Sequence, residues 1–121
     1  MGKRIAGTAY VKVDGNQYTL SGSLTVSIDE AEREGLVGLS GVAGFKEMPR
    51  VPFIEGEFFT TDEMNLKDVE AITDATVTAE LANGKTYVLR NAWTAGAREV
   101  DAAEGNVTIK FEGISGEEMK A

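Results

Sequence analysis

The sequence contains no cysteine and no histidine. Without Cys there is no disulfide framework, no thiol nucleophile and no thiolate metal site. Without His the commonest general base and the commonest metal ligand are missing. Cations are few: 12 Lys and Arg against 20 Asp and Glu leave a formal net charge of −8. That balance argues against a DNA- or RNA-binding module, which needs Lys and Arg to displace phosphate counterions. No apolar run approaches the length of a membrane span, so membrane insertion by the monomer is not expected. Lys3 and Arg4 are followed by Gly7, Thr8 and Tyr10 rather than an apolar stretch, so no signal peptide is expected and the default location is a reducing cytoplasm or a particle assembled there. What remains is work of a mechanical or associative kind.

The 121 residues fit one domain, 1–121. With 42% hydrophobic residues the chain has enough apolar surface for a core. The first 28 residues predict a β-hairpin. Val11 and Val13 alternate with Tyr10 and Lys12, and Asp14-Gly15-Asn16 supplies a turn that tolerates positive φ. Tyr18, Leu20, Leu24, Val26 and Ile28 then alternate with polar residues. The wet face of this strand carries small hydroxyls, Ser23, Thr25 and Ser27, rather than long charges.

The stretch from about 29 to 52 differs. It opens on Asp29, Glu30, Glu32, Arg33 and Glu34, continues with glycine at 35, 38, 41 and 44, and ends with both prolines of the chain, Pro49 and Pro52. Glycine weakens helix and strand, and proline removes a ladder donor. A long irregular loop is expected, and such loops inside small domains are often functional. Its apolar residues want a partner.

Phe53, Ile54, Phe58 and Phe59 mark another strand, broken by Glu55, Gly56 and Glu57. Thr60 with Glu63 reads as a capping box, with Phe59 and Met64 as a hydrophobic staple. Met64, Leu66, Val69 and Ile72 then line one face of a short helix of about ten residues. Two hairpin strands follow around Asn83-Gly84, the strongest short hairpin signal. Residues 95–104 read as loop or strand edge, Val107, Ile109 and Phe111 as a last strand, and 114–121 as a short, polar, acidic tail.

No constellation points to chemistry. The glycine series lacks the spacing and context of a dinucleotide fingerprint and the Gly-Lys-Ser/Thr of a phosphate loop. The acidic runs Asp29–Glu34 and Glu55/Glu57 match no Ca²⁺ loop and read as solvated faces with ion pairs. Trp93 reads as a core or interface anchor rather than a stacking platform. Catalytic residues, metal ligands and cofactors are not expected, and neither is enzyme activity.

The chain resembles the tail tube proteins of Mu-like contractile bacteriophages and prophages over nearly its whole length. The likeness is carried by Arg4 to Gly15 (RIAGTAYVKVDG), Gly35 to Phe45, Pro49 to Glu57 (PRVPFIEGE), Leu81 to Lys85 (LANGK) and Asn91-Ala92-Trp93. The resemblance implies a mainly β fold, a β-sandwich or barrel-like tail tube subunit with one short flanking helix and a long inter-strand loop. It implies hexameric rings stacked into a hollow tube, with strands of all subunits joined into one continuous inner β-barrel. The long loop would reach a neighbouring ring through Leu36, Val37, Leu39, Val42, Phe45, Met48, Arg50 and Val51. Sheath, baseplate and tape-measure proteins would be partners, the location would be the virion tail, and DNA would pass through the lumen without specific binding. Glu80 and Glu112, set among threonines on strands, are the candidate lumen-facing carboxylates. The alternatives are a small ligand-binding β-barrel, or the tube of a headless bacteriocin-type or secretion tail that carries no DNA.

Overall fold

The chain begins with the hairpin its alternation predicts. In the computed structural model, which describes residues 9–60 and 65–119, β1 (Ala9–Val13) pairs antiparallel with β2 (Asn16–Ser27). Asp14 and Gly15 form the turn with φ of 49° and 89°, the left-handed pair a two-residue hairpin requires. β2 is long because it serves two partners. Its first residues pair with β1, and from Leu20 it pairs with β5 (Phe53–Phe59), with a register shift between Leu20 and Leu24.

β5 is not broken at Glu55 and Glu57. Ile54, Gly56 and Phe58 point inward and are buried, while Phe53, Glu55 and Glu57 alternate outward. It pairs along its length with β9 (Asn106–Glu112), which is flanked at its start by β8 (Val100–Asp101). β6 (Ala75–Leu81) pairs with β1 on one side and β7 (Thr86–Ala95) on the other. The end of β7 pairs with β9 and closes a barrel in the order β1-β2-β5-β9-β7-β6.

The β6–β7 loop is one residue longer than the two-residue turn Asn83-Gly84 suggests. Leu81 N–H donates to the Lys85 carbonyl and Gly84 N–H to the Leu81 carbonyl, and Gly84 has positive φ (93°) while Asn83 does not. This is a three-residue loop with a left-handed glycine, not a two-residue primed turn.

The expected acidic tail contains a strand. β10 (Ser115–Met119) runs antiparallel to the first half of β7. Its register continues that of β9: Ala95 stands opposite Lys110, and Arg90, five residues back, opposite Ser115, five residues on. β9 and β10 are thus one strand, interrupted where Asn91 turns to φ 51° and Gly113 N–H donates to the Pro52 carbonyl.

The barrel interior is filled by side chains. Val11, Ile54, Phe58, Val77, Leu89, Ile109 and Phe111 are fully buried. Tyr18 packs on two of them, edge-on to Phe58 with centroids 5.9 Å apart and tilted to Phe111 at 6.5 Å. Burial, and secondarily the charge of Asp68, raises the Tyr18 pKa.

One helix lies among the described residues, α1 (Leu66–Glu70), shorter and later than expected. Its N-cap is Asn65, whose Oδ1 accepts from Lys67 N–H at 2.9 Å. Thr60 does not cap it, because α1 starts at Leu66 and Asn65 holds the N-cap position, while the Thr60 hydroxyl donates to the Gly105 carbonyl; Glu63 and Met64 of the expected box and staple lie outside the described residues. Val69 is buried, with Leu66 and Ile72 packed beside it against the barrel core. Thr94 Oγ1 donates to the Val69 carbonyl at 2.6 Å and fastens the helix to β7.

Candidate assembly surfaces

The segment from about 29 to 52 is an excursion, but a regular one. β3 (Ala31–Gly38) and β4 (Gly41–Pro49) form their own two-stranded sheet, separate from the barrel. Every residue of both strands is exposed. Three features overcome the glycines and prolines. Gly41 and Gly44 supply positive φ (119° and 141°) at the turn and at the bulge beside Leu36 and Val37. Gly35 faces Phe45 and Gly44 faces Leu36, so no two large side chains compete for room in either row. The charge run pairs across the ladder, Arg33 with Glu47 at 3.1 Å and Lys46 with Glu34 at 3.5 Å. Pro49 is the last residue of β4, opposite Ala31, and the next bond between the legs comes from Arg50 N–H to the Glu30 carbonyl.

The register sorts the eight predicted contact residues. Val37 and Val42 are directly opposite, and Phe45 lies one row away on the same face. They are 81%, 82% and 61% exposed and make one apolar patch. Arg33 sits on that face, its guanidinium 5.5 Å from the Phe45 ring centroid. Leu36 and Met48 occupy the other face. Leu39 projects from the tip between the strands. Arg50 and Val51 are at the root, where Arg50 N–H donates to the Glu30 carbonyl and its side chain pairs with Glu32 at 4.0 Å. The structure brings three of the eight together and separates the rest between a second face, the tip and the base.

The second surface is the outer face of the wall made by β2, β5, β9 and the end of β7. Ser27, Phe53, Glu112 and Trp93 form one row across it; Thr25, Glu55, Lys110 and Ala95 form the next. Glu57 stands opposite Thr108 in the row after, and its Oε1 accepts from Asn106 Nδ2 at 3.1 Å. Lys110 is the sole cation in these rows, 3.8 Å from Glu112 and 4.5 Å from the Phe53 ring centroid. Trp93 is half-buried on the outside rather than in the core. An open groove lined by Glu55, Glu99, Lys110 and Glu112 runs along this wall.

Glu80 and Glu112 are not together. Glu80 stands on β6 opposite Thr86, with Lys12 Nζ at 3.7 Å. Glu112 stands opposite Trp93, seven residues further along β7, about 23 Å at the usual strand rise. β6 lies across the barrel from β5, so the outward side of Glu80 is the opposite wall. The carboxylates that share a face with Glu112 are Glu55 and Glu57. The signal for them was the alternation Phe53-Ile54-Glu55-Gly56-Glu57-Phe58 itself, which reads as an interrupted strand only if the outward carboxylates are counted as breaks.

A filled barrel bearing a wholly exposed hairpin with an apolar patch on one face is a subunit suited to association. The comparisons give that class its family. Residues 2–118 match the family described as "Phage tail tube protein". The chain is 30% identical over 114 residues to the Mu-like prophage FluMu tail tube protein of Haemophilus influenzae strain Rd, covering 94% of this chain and 95% of that one. Three solved structures share the fold at 14% identity each. They are the sheath/tube terminator of an extracellular contractile injection system, PVC (TM-score 0.66, 98% of both chains), the tube-terminating cap of the anti-feeding prophage (0.65, 100% of this chain and 93% of that one), and the PVC sheath-tube complex (0.63, 99% and 93%). The chain belongs to the phage tail tube protein family and is a structural subunit of a tail tube.

Proposed function

We propose that this subunit closes into hexameric rings that stack into a hollow tube, that the β3–β4 hairpin docks on the neighbouring ring, and that DNA passes through the lumen unbound. The observation that carries this reading is the patch of Val37, Val42 and Phe45 on an arm that the barrel does not cover. An exposed apolar face of that kind marks a contact site that a partner covers. A second copy is the partner that the family supplies. The other expected partners are sheath, baseplate and tape-measure proteins.

The lumen wall in this reading is the outer face of β2, β5 and β9. It offers Ser23, Thr25, Ser27 and Thr108 with Glu55, Glu57 and Glu112 against one Lys110. Hydroxyls wet the wall, and the excess carboxylate repels phosphate, although salt limits the repulsion to about 8 Å. From Ser21 to Ser27 the β1 side of β2 faces no strand among the described residues. Pairing that edge with the next subunit would join neighbouring walls into one barrel and remove an aggregation hazard. Glu80 has no place on this wall. Among the described residues the barrel interior is occupied by buried side chains, which favours a packed structural subunit over a ligand-binding barrel.

Electron microscopy of concentrated protein tests the reading. Rings of six and tubes are expected; monodisperse monomer under all conditions would overturn it. Deleting residues 35–44 is expected to leave a folded barrel by circular dichroism that no longer forms long tubes. Tubes of normal length after that deletion would remove the hairpin from the stacking contact. Tubes recovered from particles without DNA would instead identify a headless tail.

A further inference from the structure

Both legs of the β3–β4 hairpin are held at a single place, the junction between β9 and β10. The outgoing leg leaves β2 through Ile28 and Glu30. Ile28 lies so close to Gly116 that a Cβ there would sit 3.0 Å from Ile28 Cβ and 3.1 Å from its Cα. Glu30 Oε2 accepts from Gly116 N–H at 3.4 Å, and the Glu30 carbonyl accepts from Arg50 N–H on the returning leg at 3.0 Å. The returning leg then reaches buried Pro52, whose carbonyl accepts from Gly113 N–H at 3.1 Å. Gly113 is equally confined: a Cβ would meet Leu89 Cγ at 2.7 Å and the Arg90 carbonyl at 2.9 Å. Two glycines three residues apart therefore make a socket that no side chain can enter.

β10 lies outside the ring of six strands that closes the barrel. It is fastened to β7 by its ladder and by Arg90 Nε donating to Glu117 Oε1 at 2.9 Å. We propose that β10 and the Gly113–Gly116 junction are a positioning device that fixes the direction of the hairpin, with Gly116 and Glu30 as positioning residues. A hairpin joined to a barrel by two single-chain legs, with no buried residue of its own, has nothing else to aim it. An arm aimed before docking does not pay its ordering entropy at the contact. The consequence for assembly rests on the tube reading; the fixed direction of the arm does not.

The absence of native Cys allows a clean test. Spin labels at Leu39→Cys and Lys85→Cys report the tip-to-barrel distance by pulsed electron resonance in the unassembled protein. A narrow distribution is expected for the parent. Gly116→Val is expected to broaden and shift it while the barrel's circular dichroism stays the same. Glu30→Ala is expected to broaden it, and Glu30→Gln, whose amide oxygen still accepts from Gly116, to restore it. If Gly116→Val does not fold, the Glu30 pair decides. Unchanged distributions in every folded variant would overturn the proposal, as would failure of Glu30→Gln to restore. Electron microscopy of the parent, Gly116→Val and Glu30→Ala without the label cysteines separates the two readings. A parent that forms no tubes removes the tube reading and leaves the distance result standing. A Gly116→Val protein with a displaced arm that still builds normal tubes removes the claim that aiming matters to assembly.

Discussion

Gly35 stands directly across the β3–β4 ladder from Phe45, and the Phe45 ring lies beside Arg33 on the same face, its centroid 5.5 Å from the guanidinium carbon. The ring is 61% exposed and contributes nothing to the barrel core. Phe45→Ser should therefore leave the melting transition of the isolated subunit within about 0.5 kcal/mol of the parent, as surface changes do. It should reduce or abolish self-association measured by sedimentation velocity. A variant that melts much earlier would show that Phe45 supports the fold rather than the contact.

The core makes the opposite prediction. Phe111 is fully buried, packs against Tyr18 and lies on the strand that bridges β5 to β7. Phe111→Ala removes its apolar surface and leaves a cavity, costing about 3–5 kcal/mol. Urea unfolding of the subunit should show that loss with little change in slope. A cost below about 1 kcal/mol would mean that the barrel collapses around the gap.

These two phenylalanines mark what the sequence makes legible. Alternation over 9–28, 75–81 and 106–112 identifies strands, and Asp14-Gly15 and Asn83-Gly84 identify their turns, because each signal is local. The β3–β4 hairpin was not legible, because what holds it is cross-strand. Gly35 is a strand breaker by propensity but pairs with Phe45 ten residues on, and Arg33 finds Glu47 fourteen residues on. β10 is harder still. Ser-Gly-Glu-Glu-Met has little β propensity, and it is a strand because β7 is already in place to extend the register of β9 through it. The candidate site suffered in the same way: its residue types were legible, but which of them share a face depends on register.

Glu117 provides a pH prediction. The hydrogen bond from Arg90, reinforced by its charge, lowers the Glu117 pKa, and the same pair raises that of Arg90. A carboxylate whose folded pKa is depressed contributes stability above its unfolded value and loses it as pH falls through the folded one. β10 should therefore be held at neutral pH and loosen below the ordinary carboxylate range. Amide protection factors of β10 should fall between about pH 7 and pH 3 more than those of β5 or β9. Glu117→Gln should remove most of that difference. Equal acid sensitivity of β10 in the parent and in Glu117→Gln would dismiss the ion pair as the cause.

The charge of the second surface can be inverted without touching the core. Glu55, Glu57 and Glu112 point outward from β5 and β9, on the strand faces opposite buried Ile54, Phe58 and Phe111. Replacing all three with Lys changes the wall by six charges per subunit and adds them beside Lys110. Single replacements keep neighbouring carboxylates as partners; the triple leaves Glu99 as the one carboxylate lining the groove, against four lysines on the wall. If this face lines the lumen, the triple variant should still form tubes, because the hairpin patch is unaltered. It should also bind DNA that the parent ignores, with an affinity that falls steeply as salt rises. Fluorescence anisotropy of a short duplex or single strand against assembled tubes, across a salt series, measures this directly. The same inversion at Glu80 and its neighbours on the opposite wall provides the control. DNA captured equally by both variants on the tube exterior would take the lumen away from the face of Glu55, Glu57 and Glu112.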